Sequence, residues 1–187
     1  MPLTMTNQWV TLANRALARI GTQQISSLTD GSTPALYCNN LLPEVVQSVY
    51  GQFDWKSARK RIELSALVDA PLYGYDYAYQ LPNDFMRIIA TEDAGPFEIE
   101  GHTLLSDEED MFITYIGYPI EADKIPGPIA HLIVTYLAFL LSTPLTSNEG
   151  MAQRLLGEYQ LSLEQAKKDD NAGRYQEPAT GFYEDVR

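Results

Sequence analysis

One cysteine and two histidines in 187 residues leave several kinds of chemistry without their usual side chains. A single thiol, Cys38, excludes an intrachain disulfide, and no neighbour marks it as reactive; it reads as a small hydrophobe on a helix. His102 and His131 lie far apart, and neither has a partner at ligand spacing, so no metal is expected. Phosphate-cradling glycine loops, the dinucleotide fingerprint and the nucleophile elbow are missing, so no cofactor is expected. Long hydrophobic runs are also missing. The longest, Ile129 to Leu141, is interrupted by His131 and Thr135 and reads as too short for a membrane span. The first eleven residues lack the charged and apolar regions of a signal peptide. The expectation is a soluble chain made in the cytosol, with no membrane partner and with enough apolar residues for a core.

Basic charge is scarce as well, and unevenly placed. Residues 1–63 carry a net +2, residues 64–128 a net −11 and residues 129–187 a net −3. The middle third should repel DNA phosphate, which disfavours sequence-specific DNA binding.

Two pairs of helices flank that acidic third. Trp9, Leu12, Ala13, Ala16, Leu17 and Ile20 recur at helical spacing over residues 7–20, with Thr6 placed to cap the start and Gly21 the end. Ser32-Thr33-Pro34 opens a second helix striped by Leu42, Val45, Val46 and Val49, with a kink expected at Pro43. Pro126-Gly127-Pro128 precedes an apolar helix over Ile129 to Ser142, which Pro144 should end. A last helix covers residues 147–170, with Ser147 as its cap and Glu164 spaced to pair with Lys168. Between the pairs, Ile62, Leu64 and Ala66 alternate with polar residues. Tyr73, Tyr75, Tyr77 and Tyr79 then alternate through a predicted strand, and Met86–Thr91, Phe97–Glu100 and Phe112–Tyr118 are further strands.

The predicted fold class is therefore α+β, mainly α: a helical bundle with an inserted small antiparallel β-rich subdomain and an extended C-terminal tail. Residues 1–63 form the first part of the bundle, 64–126 the acidic insertion, 127–170 the second part of the bundle, and 171–187 the tail.

Three features could carry function. The four acids Asp107 to Asp110 could include a glycosidase pair, but a solvated loop forces no proton onto any of them, and a turn is the plainer reading. Tyr75, Tyr77 and Tyr79 could stack on a ligand, but without a basic rim they read as a packing or subunit-contact face. Lys56, Arg59, Lys60 and Arg61, the only basic cluster, could meet an acidic neighbouring subunit or touch DNA. No catalytic residues are expected.

Several stretches, in this order, resemble one known family. They are Asn14 to Gly21, Ile25 to Asp30, Ala35 to Asn39, and Phe53-Asp54-Trp55 with the basic run that follows. Tyr77-Ala-Tyr-Gln-Leu-Pro-Asn-Asp84 leading to Arg87 is the most telling, and Ile129 to Pro144 and Glu164 to Asp170 complete the set. Over about residues 8–170 the chain resembles the head-to-tail adaptors of short-tailed bacteriophages, the tail tubular protein A-like family. The resemblance implies a virion protein, assembled in the host cytoplasm and placed in the neck of the particle. It implies a ring homo-oligomer, dodecameric, between the portal protein and the tail tube or nozzle protein. Genomic DNA would pass through its lumen, without sequence-specific binding, during packaging and ejection. Asp107–Asp110 matches no motif of that family. Residues 171–187 cannot easily offset the entropy of ordering alone. Tyr175, Phe182, Tyr183 and Val186 are therefore candidate anchors on the portal, and Tyr75, Tyr77 and Tyr79 candidates for the tail side. The competing classes are a tail-associated peptidoglycan hydrolase and an unrelated phage interaction module.

Overall fold

The computed structural model describes residues 7–92, 95–119 and 121–172. Four helices, α1 (Asn7–Arg19), α2 (Thr33–Gly51), α3 (Gly127–Thr146) and α4 (Glu149–Ala172), form a bundle in which α3 lies against the other three. Between α2 and α3 run six strands: β1 (Arg59–Leu64), β2 (Tyr77–Gln80), β3 (Phe85–Thr91), β4 (Phe97–Glu100), β5 (Thr103–Ser106) and β6 (Met111–Gly117). They make two antiparallel sheets ordered β1-β6-β3 and β2-β5-β4. The α+β, mainly α architecture follows the sequence expectation.

The helix ends show why these segments stop where they do. Gly21, at φ +71°, lets Thr22 N–H reach Leu17 O at 3.0 Å and its own N–H reach Ala18 O at 3.2 Å, a Schellman ending for α1. Ser32 Oγ accepts from Ala35 N at 3.3 Å, and Pro34 sits in the first turn of α2. The helix continues through Pro43, whose carbonyl accepts the Tyr118 hydroxyl at 3.2 Å.

Four local expectations are corrected. Pro144 does not end α3: the helix runs on to Thr146, with the exposed ring on its solvent side and the Thr146 hydroxyl bonded to Ser142 O at 2.6 Å. Ser147 takes the left-handed conformation that closes α3, and Asn148 caps α4 instead, its Oδ1 accepting from Met151 N at 2.9 Å. Glu164 pairs with Lys167 at 3.1 Å, one residue nearer than expected. Of the alternating tyrosines only Tyr77 and Tyr79 lie in a strand, because Gly74 at φ +92° turns the chain before them. Thr6 and the tail anchors Tyr175, Phe182, Tyr183 and Val186 lie outside the described residues.

Period-2 alternation divides the β1-β6-β3 sheet between two cores. Ile116 on β6 is buried with the bundle, alongside Trp9, Leu17, Val46, Leu137 and Leu141. Met111, Ile113 and Tyr115 point the other way, into a second core with Leu64, Tyr79, Leu81 and Leu104. The layers run bundle, first sheet, second sheet. The boundary expected between residues 63 and 64 falls inside β1, so the first sheet is built partly from the segment assigned to the bundle. By length and composition the 20-residue α3 could cross a membrane, unlike the shorter run counted in the sequence. Ten of its residues are buried among the other elements, which accounts for its apolarity.

Candidate functional site

The basic run spans a helical turn and the start of a strand. A short helical turn, Lys56–Ala58, leads directly into β1, and strand alternation then sends its charges to different places. Lys60 shares a face with Tyr115 and forms an ion pair with Asp84, to which the Tyr115 hydroxyl also donates at 3.1 Å. Burial, then the Asp84 charge, pushes the Tyr115 hydroxyl up to about 12. The backbone N–H of Lys56 donates to Asp170 Oδ1 at 3.2 Å, tying the strand entry to the end of α4. Arg59 and Arg87 flank Ile116 across the sheet, half-buried at the bundle seam, and Arg87 pairs with Asp54. Arg61 is exposed and has no ion-pair partner among the described residues. Of the four charges, Lys60 alone forms an ion pair among the described residues, while Lys56 Nζ and Arg59 Nε are buried there without a hydrogen-bond partner.

The acidic turn, whose role the sequence left open, clasps the second sheet. Asp107 Oδ1 accepts from Asp76 N at 3.0 Å, and Glu108 Oε1 accepts from Gly95 N at 3.2 Å. The Tyr79 hydroxyl reaches the carbonyls of Glu108 and Glu109. Burial, with the nearby Tyr77 and acidic charges, raises the Tyr79 hydroxyl above its ordinary pKa. Tyr79 is accordingly a core residue, and Tyr77 lies half-buried beside it at 6.4 Å between rings. Tyr75 is half-buried outside any strand.

One constellation resembles catalytic machinery and fails on geometry. Ser162 Oγ lies 3.4 Å from His131 Nε2, and Glu158 Oε1 lies 3.8 Å from the same nitrogen. In a nucleophile–base–acid relay the acid must hold the opposite ring nitrogen. Glu158 is instead gripped by Arg19 at 2.5 and 2.6 Å, which joins α1 to α4. Burial pushes the Cys38 thiol up to about 11, against a role as nucleophile. Among the described residues no three His, Cys, Asp or Glu side chains gather as a metal site would require. A 340 Å³ hollow at the junction includes Lys60 and Lys124, but both are paired, with Asp84 and Glu121.

The unexpected feature is a loop that sequence patterning could not distinguish from an ordinary connection. Residues 65–67 run beside β2: Ala66 bridges Tyr79, Leu67 N donates to Ala78 O at 2.7 Å, and Gln80 N donates to Ser65 O at 3.3 Å. Beyond that base the chain projects as an arm over residues 68–74. Its apolar side chains face water, with Val68 103 %, Leu72 98 % and Tyr73 87 % exposed. Each such side chain represents roughly 1.5–3 kcal/mol of burial that the subunit leaves unused.

A groove of mixed polarity lies on the first sheet. Beyond Ile116 its bundle-facing side is open, and cross-strand rows Arg61–Thr114 and Glu63–Phe112 line it. With Glu92 they bound a groove of 260 Å³, in which Phe112 is 40 % exposed.

Comparison with known protein families finds no family model that matches the chain, and comparison with curated proteins finds no match.

Proposed function

We propose that the chain is a structural virion protein, the subunit of a head-to-tail adaptor ring between the portal and the tail tube or nozzle. In this reading genomic DNA passes through the lumen of a ring, dodecameric as the family resemblance implies, without being gripped. The observation that carries the proposal is the apolar arm. A subunit that works alone gains nothing by holding Val68, Leu72 and Tyr73 in water, whereas a subunit of an assembly covers them. Charge supports the same reading, since the net −11 over residues 64–128 disfavours adhesion to DNA phosphate. The ordered motifs from Asn14 to Asp170 point to the adaptor family in particular. The tail from 171 onward is assigned to the portal, where weak contacts repeated around a ring would add through multivalency.

The experiment mixes the full chain, and a chain lacking residues 171–187, with the portal ring of the same bacteriophage. Binding by the full chain and loss of binding by the truncated one, with its helical content unchanged, is the expected result. Unaltered binding by the truncated chain contradicts the tail assignment. Failure of both to bind contradicts the adaptor reading.

A further inference from the structure

Tyr50, at the end of α2, carries a hydroxyl that the fold leaves without a partner. The residue is only 2 % exposed and lines the 340 Å³ hollow at the junction of bundle and first sheet. Its hydroxyl makes no hydrogen bond among the described residues. Unlike Lys56 Nζ it is not sealed inside protein, so its sliver of exposure opens on the hollow. Tyr118 beside it donates to Pro43 O instead, at 3.2 Å. Burial, then the neighbouring Tyr118, raises the Tyr50 hydroxyl above its ordinary pKa, so it stays a donor in need of an acceptor.

Other donors converge on the same space. The exposed Ser57 hydroxyl has no hydrogen bond among the described residues. Lys60 and Lys124 each offer three N–H donors to a single carboxylate partner, Asp84 and Glu121. The Lys124–Glu121 pair is exposed, three residues apart and of the kind that contributes little, so Lys124 can turn to a ligand. Gly117 keeps one wall bare: Lys60 Cδ and Cε lie 3.0 Å from where its Cβ would stand. A volume of this size suits a small molecule or a single side chain. Charge selects among anions. The two ammonium groups are already balanced by two carboxylates. A phosphate group would add about −1.5 to −2 charges, whereas a carboxylate adds only one.

We infer that this hollow binds a carboxylate group, its oxygens accepting from the Tyr50 and Ser57 hydroxyls and from Lys124. The site does not depend on the adaptor reading, which portal binding tests separately.

The test titrates the full chain with sodium acetate, an end-capped Gly-Asp-Gly peptide and sodium phosphate, against sodium chloride at matched ionic strength. Amide chemical shifts of Ser57, Gly117 and Lys124 are followed by nuclear magnetic resonance. Saturable shifts with acetate or the peptide, beyond those with chloride, are expected. Tyr50→Phe removes a hydroxyl that no described protein group uses. It should weaken binding about five-fold and leave the thermal midpoint unchanged or higher. Lys124→Gln, at an exposed position, should weaken binding similarly and keeps the test open if the Tyr50 variant fails to fold. Tighter binding of acetate than of the peptide identifies a free acid as the source of the carboxylate; the reverse identifies an acidic side chain of another protein. Shifts no larger than those with chloride, tighter binding of phosphate than of either carboxylate, or unaltered affinity in the folded variants overturns the inference.

Discussion

Bundle and arm are equally rich in apolar residues and treat them in opposite ways. In the bundle, Trp9, Leu42, Leu137 and Leu141 are wholly enclosed, and the Trp55 indole N–H is held by Val49 O at 2.9 Å. In the arm, Val68 and Leu72 touch almost nothing, although the base of the same loop is hydrogen-bonded to β2. The bundle therefore carries stability within one chain, and under the proposed adaptor reading the arm is surface to be covered by another chain. Substitutions of the same size should separate the two roles.

The largest effect is expected in the enclosed region. Leu137→Ala removes a side chain with no route for solvent or neighbours to fill its place, and should cost about 2–5 kcal/mol in denaturant unfolding. Gly117→Ala tests the junction between the two regions. A Cβ there would lie 2.6 Å from Asp84 Oδ2 and 3.0 Å from Lys60 Cδ and Cε, displacing the ion pair beneath Tyr115. A loss of about 1–3 kcal/mol is expected, read as a lowered denaturant midpoint. Tyr79→Phe keeps the ring in the second core but strips the hydroxyl from the Glu108 and Glu109 carbonyls, for about 1–2 kcal/mol by thermal or chemical unfolding. The smallest effect on stability belongs to Val68→Asp combined with Leu72→Asp. Both positions are exposed, so the change should stay within about 0.5 kcal/mol each by the same assay. An arm variant that unfolds like Leu137→Ala would erase the distinction between the regions.

Much of this arrangement was legible in the sequence, because helices advertise themselves through caps and periodic stripes. The stripe from Trp9 to Ile20, the Gly21 ending and the Ser32 cap all appear as read. Strands β3, β4 and β6 were legible as short runs between turn residues, whereas β5 at Thr103–Ser106 was not read from the sequence. What failed depended on a single backbone choice or on distant neighbours. Gly74 ended the tyrosine alternation, and Asn148 displaced Ser147 as the cap by one position. The division of the basic run followed from strand alternation, but that Asp84 and Asp170 would receive Lys60 and the Lys56 N–H depends on folding over 24 and 114 residues. The arm was hidden because Val68, Leu72 and Tyr73 resemble core residues in composition, and their exposure is a property of the fold.

The central claim is that this chain assembles in a ring on a portal. Electron microscopy of the full chain mixed with its portal measures the mass and symmetry of that complex directly. A ring of this chain stacked coaxially on the portal, with an open central channel, is the predicted result. A portal ring that remains bare at saturating concentrations of folded protein would contradict it.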